Sequence, residues 1–149
     1  IMTLVSSKRP LRKPKPVTFL GLRQLSKNMP EAIQTIEGGF HPDVLGVVAT
    51  AYAVPQHLIQ GVVKVTDGTL DRRRKTGVLN GTESDTVLRL ASLFDFAANV
   101  LGGDEQAQRW LTKKQYVLGN ISPLEVAKTS VGGDYVRSVL TAIEYGLPS

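Results

Sequence analysis

Arg72, Arg73, Arg74 and Lys75 form a run of cations soon after Thr69, in a stretch whose spacing predicts a short helix over 67–75. Arginine can bridge O6 and N7 of guanine with two hydrogen bonds, and Thr or Lys can hold phosphate oxygens. Successive helical residues point about 100° apart, so one or two of the arginines can face a groove while the rest touch phosphate or solvent. A solvated helix C-terminus also favours such a cluster on electrostatic grounds alone, and Asp67 and Asp71 repel phosphate. The preceding segment tips the balance. Leu58, Val62, Val65 and Leu70 have the apolar spacing of two short helices packed across a tight turn at Lys64-Val65-Thr66, a helix-turn-helix. Thr69, Arg72, Arg73, Arg74 and Lys75 are therefore the DNA-binding candidates. Lys64 stands at a turn position where glycine is common.

Catalytic chemistry finds little support. The chain has no cysteine, which excludes disulfides, thiolate metal sites and a cysteine nucleophile. His41 and His57 are the two histidines, and their spacing does not suggest a metal pair. The carboxylates fall mostly at predicted helix starts, where capping explains them. Gly38-Gly39, Gly102-Gly103 and Gly132-Gly133 neither follow a strand nor precede a Lys-Ser/Thr pair, so they do not read as phosphate loops. The expectation is a binding protein rather than an enzyme, with no catalytic residue, metal or cofactor.

The elements that position these residues follow from charge and periodicity. The net charge of +5 is concentrated at the N-terminus. Residues 1–30 carry Lys8, Arg9, Arg12, Lys13, Lys15, Arg23 and Lys27 without an acid, whereas residues 76–149 hold more acids than bases. Pro10, Pro14 and Pro16 make residues 1–17 an extended arm, either a DNA-contacting arm or a solubilising tail. No apolar run reaches the roughly 18–20 residues of a membrane span. The basic run Lys8–Lys15 is not followed by the apolar region of a signal peptide. A cytoplasmic protein without membrane contact is expected.

Residues 18–38 are mildly amphipathic and partly helical, with a stop at Gly38-Gly39 and short extended pieces around Val17–Leu20. Val44, Leu45, Val47, Val48 and Tyr52 suit one face of a helix. Pro55 opens another helix, with Leu58, Val62 and Val63 facing inward. Thr66 is a plausible N-cap for the basic helix, which Gly77 ends. Thr82-Glu83-Ser84-Asp85 resembles a capping box at the start of the longest helix, ending at Gly102-Gly103. Its stripe of Leu88, Ala91, Phe94, Ala98 and Leu101 has more apolar length than a small domain needs, which predicts a homodimer. Asp104 caps a short helix through Trp110, a core anchor. Ser122-Pro123-Leu124-Glu125 is a fuller capping box, and Val136, Val139, Leu140 and Ile143 face the core from a last helix ending near Gly146. The fold class is all-α. Residues 1–38 form a basic arm and short helix, 39–81 a helix-turn-helix-like domain, and 82–149 a long helix with a small helical C-terminal domain.

From about Gly39 to Ser149 the sequence resembles the Xre/MbcA/ParS antitoxin family, in particular the Xre antitoxins paired with RES-domain toxins. Carrying the resemblance are Thr69-Leu70-Asp71-Arg72-Arg73-Arg74, Leu79 through Glu83-Ser84-Asp85, and Leu88-Arg89-Leu90-Ala91. It continues through Ala107-Gln108-Arg109-Trp110-Leu111, Leu118-Gly119-Asn120, Ser122-Pro123-Leu124-Glu125 and Ile143-Glu144-Tyr145-Gly146-Leu147-Pro148. The order and spacing of these segments, more than any one of them, make the resemblance specific. It implies a dimeric antitoxin encoded beside a RES-type toxin that depletes NAD, with the C-terminal domain binding the toxin. It also implies repression of the antitoxin's own promoter by a higher-order toxin–antitoxin complex. The implied inhibitory act is docking of the C-terminal end over the toxin's NAD pocket. Arg109, Lys113, Tyr145, Gly146, Leu147, Pro148 and Ser149 are the toxin-binding candidates, since a short, stiff, apolar tail with a free carboxylate suits insertion into a cationic cleft. The alternative is a stand-alone helix-turn-helix transcriptional regulator.

Overall fold

The computed structural model describes residues 17–146. Nine α-helices cover most of that span: α1 (Phe19–Leu25), α2 (Met29–Gly38), α3 (Val44–Tyr52), α4 (Gln56–Val63), α5 (Asp67–Thr76), α6 (Gly81–Leu101), α7 (Asp104–Thr112), α8 (Pro123–Val126) and α9 (Ser130–Glu144). A 3-10 turn, Tyr116–Leu118, lies between α7 and α8. The described residues contain no strand, only one isolated bridge between Gln115 and Ile121. The fold is all-α, as the periodicity requires.

The 21-residue α6, about 32 Å long, is the axis of the molecule. α1, α2, α3, α4, α7 and α9 all pack against it. Its stripe of Leu88, Ala91, Phe94 and Ala98 is buried inside the chain, and so are Val87, Leu90, Leu93 and Ala97 between them. That removes the surplus apolar length on which the dimer expectation rested. The N-cap of this helix lies two residues before the expected Thr82. Asn80 is its N-cap, and the Asn80 side chain accepts from the Glu83 backbone N–H while the Glu83 carboxylate accepts from the Asn80 N–H. Asparagine and a glutamate three residues on satisfy the same two free donors as the Ser/Thr version of the box.

Other departures have similarly local causes. Of Val17–Leu20, Thr18 is extended and caps α1 through its side chain, and Phe19 and Leu20 are already helical. Residues 18–38 hold two helices, divided where Asn28 caps α2. Leu58 is 40% exposed and Ile59 takes the inward position on α4. Gly103, not Asp104, is the N-cap of α7, and Ile143 lies at the exposed edge of α9. Trp110 is half-buried and packs against the core, as its size favours.

Two features close the core. Phe19, Tyr52 and Phe94 meet edge to face, with centroids 5.0–6.3 Å apart. The buried Tyr52 hydroxyl donates to the Leu90 carbonyl at 2.6 Å, and burial pushes its pKa upward. The Gly132-Gly133 pair has a packing reason. A Cβ at Gly132 would strike the Val126 carbonyl, and one at Gly133 would lie 2.7 Å from Cδ of Arg89. Glycine there lets the start of α9 approach both α8 and α6.

Candidate functional site

The first candidate surface is built by α4, its turn and α5. Lys64 adopts the left-handed conformation (φ +67°) that ends α4, the position that favours glycine. Gln60 staples the turn: its amide donates to the Val65 carbonyl at 3.1 Å and to Asp67 at 3.0 Å. Val65, Ile59, Val62, Val63 and Leu70 are all buried in the same core. Thr66 caps α5 by accepting from the Thr69 N–H at 3.2 Å, and Gly77 (φ +85°) ends it.

The structure separates the five DNA-binding candidates by role. Arg73 turns back to α6, and its Nε and Nη2 donate to the two oxygens of Glu83 at 2.8 and 3.0 Å. This fork ties α5 to the capping box of α6. Burial alone would raise the Glu83 pKa, but hydrogen bonds from Arg73 and the Asn80 N–H outweigh it and hold the carboxyl below its ordinary range. The same pairing raises the Arg73 pKa. Thr69 is half-buried, and its Oγ1 accepts from Nη2 of the exposed Arg72 at 3.1 Å. Arg74 is exposed with a loose 3.8 Å contact to Asp71, and Lys75 is exposed. Arg72 and Lys75, three apart, share a face of α5. The cations presented outward are therefore Arg72, Arg74 and Lys75.

The second candidate surface is C-terminal. Arg109 is exposed on α7 and pairs with Glu105 at 3.2 Å; Lys113 follows, exposed, at the end of that helix. Tyr145 is exposed beyond α9, and Gly146 has φ +67°. Leu147, Pro148 and Ser149 lie outside the described residues, as does most of the N-terminal arm. Among the described residues no hydrogen bond or ion pair links Arg109 or Lys113 to Tyr145 or Gly146.

Sequence reasoning missed two groups. One is the ion network in which Arg23 of α1 donates to Asp95 at 3.0 Å and to Asp104 at 2.9 Å, with Lys27 3.1 Å from Asp95. Asp95 sits within the apolar run of α6, and its nearly buried side chain carried no signal of a partner 72 residues away. The other is the exposed set Tyr116, Val131 and Tyr135, discussed below. The Gly119-Asn120 turn signal was available for that loop.

His41 lies in a local turn, where its Nδ1 accepts from the Asp43 N–H, and His57 is exposed on α4. No group of three or more metal-ligating side chains occurs among the described residues. Nor is any described helix long and apolar enough to cross a membrane.

The helices from the end of α6 through α9 are similar to a known class of binding module. Residues 96–146 match the family model described as the antitoxin Xre/MbcA/ParS C-terminal toxin-binding domain. Over 117 residues the chain is also 26% identical to Antitoxin Xre of Yersinia enterocolitica serotype O:8 / biotype 1B, covering 77% of this chain and 79% of that protein. Both similarities support an antitoxin function, and the first implies a toxin as partner.

Proposed function

We propose that this chain is a cytoplasmic antitoxin that binds a cognate RES-type toxin, stops its consumption of NAD and represses its own promoter. The observation that carries the reading is the toxin-binding match over residues 96–146, which ends where α9 delivers the exposed Tyr145 and Gly146. In this reading the terminal segment Tyr145–Ser149 covers the toxin's active site, and Arg109 and Lys113 lie on the same C-terminal part of the chain. The chain acts by occlusion and needs neither a cofactor nor a catalytic group. The helix-turn-helix-like part is assigned to 39–81 and the toxin-binding part to 82–149.

The test is co-expression with the adjacent reading frame. The full chain should restore growth and cellular NAD. Deleting Tyr145–Ser149 should abolish that protection while changing the melting temperature little, because of the described residues it removes only the exposed C-cap turn of α9. Full protection by the truncated chain would refute the occlusion mechanism.

A second reading, a stand-alone transcriptional regulator, is favoured by the outward cations Arg72, Arg74 and Lys75 on α5. Promoter binding without any toxin partner would select it. Homodimerisation remains part of the proposal, although α6 does not offer its stripe. A groove of about 350 Å³ between α2 and α6, lined by Met29, Ile33, Ile36 and Leu88, is an apolar opening that a second copy can use. A monomeric mass by light scattering would remove the dimer from the reading.

A further inference from the structure

We propose that the loop joining α7 to α8, with the first half of α9, is a second docking surface for the toxin, centred on Tyr116 and separate from the terminal segment. The inference rests on the antitoxin reading and adds to it a surface that accepts a carboxylate-rimmed apolar pocket on the partner.

Tyr116 is 95% exposed at the head of the 3-10 turn, so it contributes nothing to this chain's core. The loop holding it is nevertheless well fixed. The Gln115 N–H donates to the Ile121 carbonyl at 3.2 Å, and the Asn120 N–H to the Gln115 carbonyl at 2.9 Å. The Gln115 side chain donates to the Trp110 carbonyl at 3.0 Å, and Leu118 anchors the loop in the core. Gly119 and Asn120 both take positive φ to close it. An aromatic ring held outward by a fixed loop loses little entropy on docking, which is how interface hot spots gain their effect.

The surface continues onto α9. The Tyr135 hydroxyl donates to the Val117 carbonyl at 3.3 Å, joining helix to loop. Val131, one turn earlier on the same face, is 78% exposed, and Tyr135 is half exposed. Ile121, where the bridge closes, is exposed as well. Exposed apolar side chains gathered in one place mark an interaction site more often than a bare surface.

Charge selects the partner chemistry. Lys113 and Lys114 are exposed immediately before the loop, and neither forms an ion pair among the described residues. No acidic residue occurs between Glu105 and Glu125, although Asp134 adjoins Tyr135 on α9. An apolar centre beside two cations matches an apolar pocket with carboxylates on its rim. The whole surface falls inside the segment that matches a toxin-binding domain.

The experiment titrates the full chain against the purified product of the adjacent reading frame. Tyr116→Ser and Val131→Ser should each leave the melting temperature unchanged, and Tyr116→Ser should weaken binding at least thirty-fold, the scale of a hot-spot truncation. Lys113→Glu with Lys114→Glu should slow association and flatten its salt dependence. If the wild-type chain binds and both serine variants bind within threefold of it, this surface is not used and the antitoxin reading stands. If the wild-type chain itself does not bind, the antitoxin reading falls and this inference falls with it.

Discussion

Arg73 and Arg72 are neighbours of one type with opposite assignments. Arg73 has both ends of its fork on a carboxylate whose side chain is 7% exposed, so it is committed to the fold. Arg72 is exposed, and among the described residues its side chain hydrogen-bonds to Thr69. Charge-assisted hydrogen bonds contribute about 1.5–3 kcal/mol, and removing Arg73 also leaves Glu83 charged and unpaired in a largely buried place. Arg73→Ala should therefore destabilise the chain by about 2–4 kcal/mol in urea unfolding, whereas Arg72→Ala should stay within about 0.5 kcal/mol of wild type. In promoter-binding assays the order should reverse in meaning: loss in the Arg72 variant reports a DNA contact, worth about 1–3 kcal/mol if bidentate to a base. Loss in the Arg73 variant reports a displaced helix. The pH readout carries a definite sign. The Glu83 carboxyl is held below its ordinary value of 4.5, so the pair's stabilisation is complete above that value and is lost as pH falls through the lower, folded-state value. In the Arg73→Ala chain this acid dependence should be shallower. Equal stability of the two variants would show that the fork contributes nothing.

Among elements, the turn between α4 and α5 tests how far local chemistry fixes the motif. Lys64 takes a left-handed conformation that costs a non-glycine residue about 1–2 kcal/mol, and its side chain is exposed. Lys64→Gly removes that strain but frees the unfolded chain, which returns about 0.4–1 kcal/mol. The net expectation is a stabilisation of up to about 1 kcal/mol, read as a higher urea midpoint at unchanged slope. A lower midpoint would mean that the lysine stem supports the turn. The elements were largely legible because their end signals are local. Thr66, Gly77, Gly102 and Ser122 each sit at the boundary that their chemistry predicts. Thr82 was read as the cap, but Asn80, whose glutamate stands three residues on, determined the start. Leu58 was placed inward where Ile59 is, because a two-turn helix tolerates either as its inward residue, and the choice depends on what α6 presents. The candidate site was less legible. Sequence supplied the cations of α5 but not which one turns inward, since Glu83 is ten residues away on another helix. The exposure of Tyr116 is likewise a property of tertiary packing and not of its neighbours.

At the scale of the molecule, the buried residues form one contiguous core from Leu22 to Leu140, and α6 supplies more of it than any other helix. The cations of α5 and the toxin-binding match at 96–146 thus share one central helix, although they are functionally distinct in the proposed reading. Asp95 strengthens that unity. It receives Arg23 from α1, and Arg23 also reaches Asp104 at the start of α7 while lying 5.5 Å over the Phe94 ring. Burial opposes the Asp95 charge, but hydrogen bonds from Arg23 and Lys27 outweigh it and hold its carboxyl below the ordinary range. Breaking a largely buried pair by removing one partner is costly because the other charge is left behind. Arg23 keeps its bond to Asp104 and Lys27 is exposed, so Asp95→Ala should cost about 1–3 kcal/mol. The loss should be felt everywhere at once, because α1, α6 and α7 meet at that point. Trp110, the single tryptophan, reports the C-terminal half by fluorescence, whereas far-ultraviolet circular dichroism reports every helix. In urea the two signals should trace a single transition in the wild-type chain and move together to a lower midpoint in the variant. Two separated transitions would mean that the part containing α4 and α5 unfolds independently of the part containing α7 to α9, and that the shared helix does not couple the two surfaces.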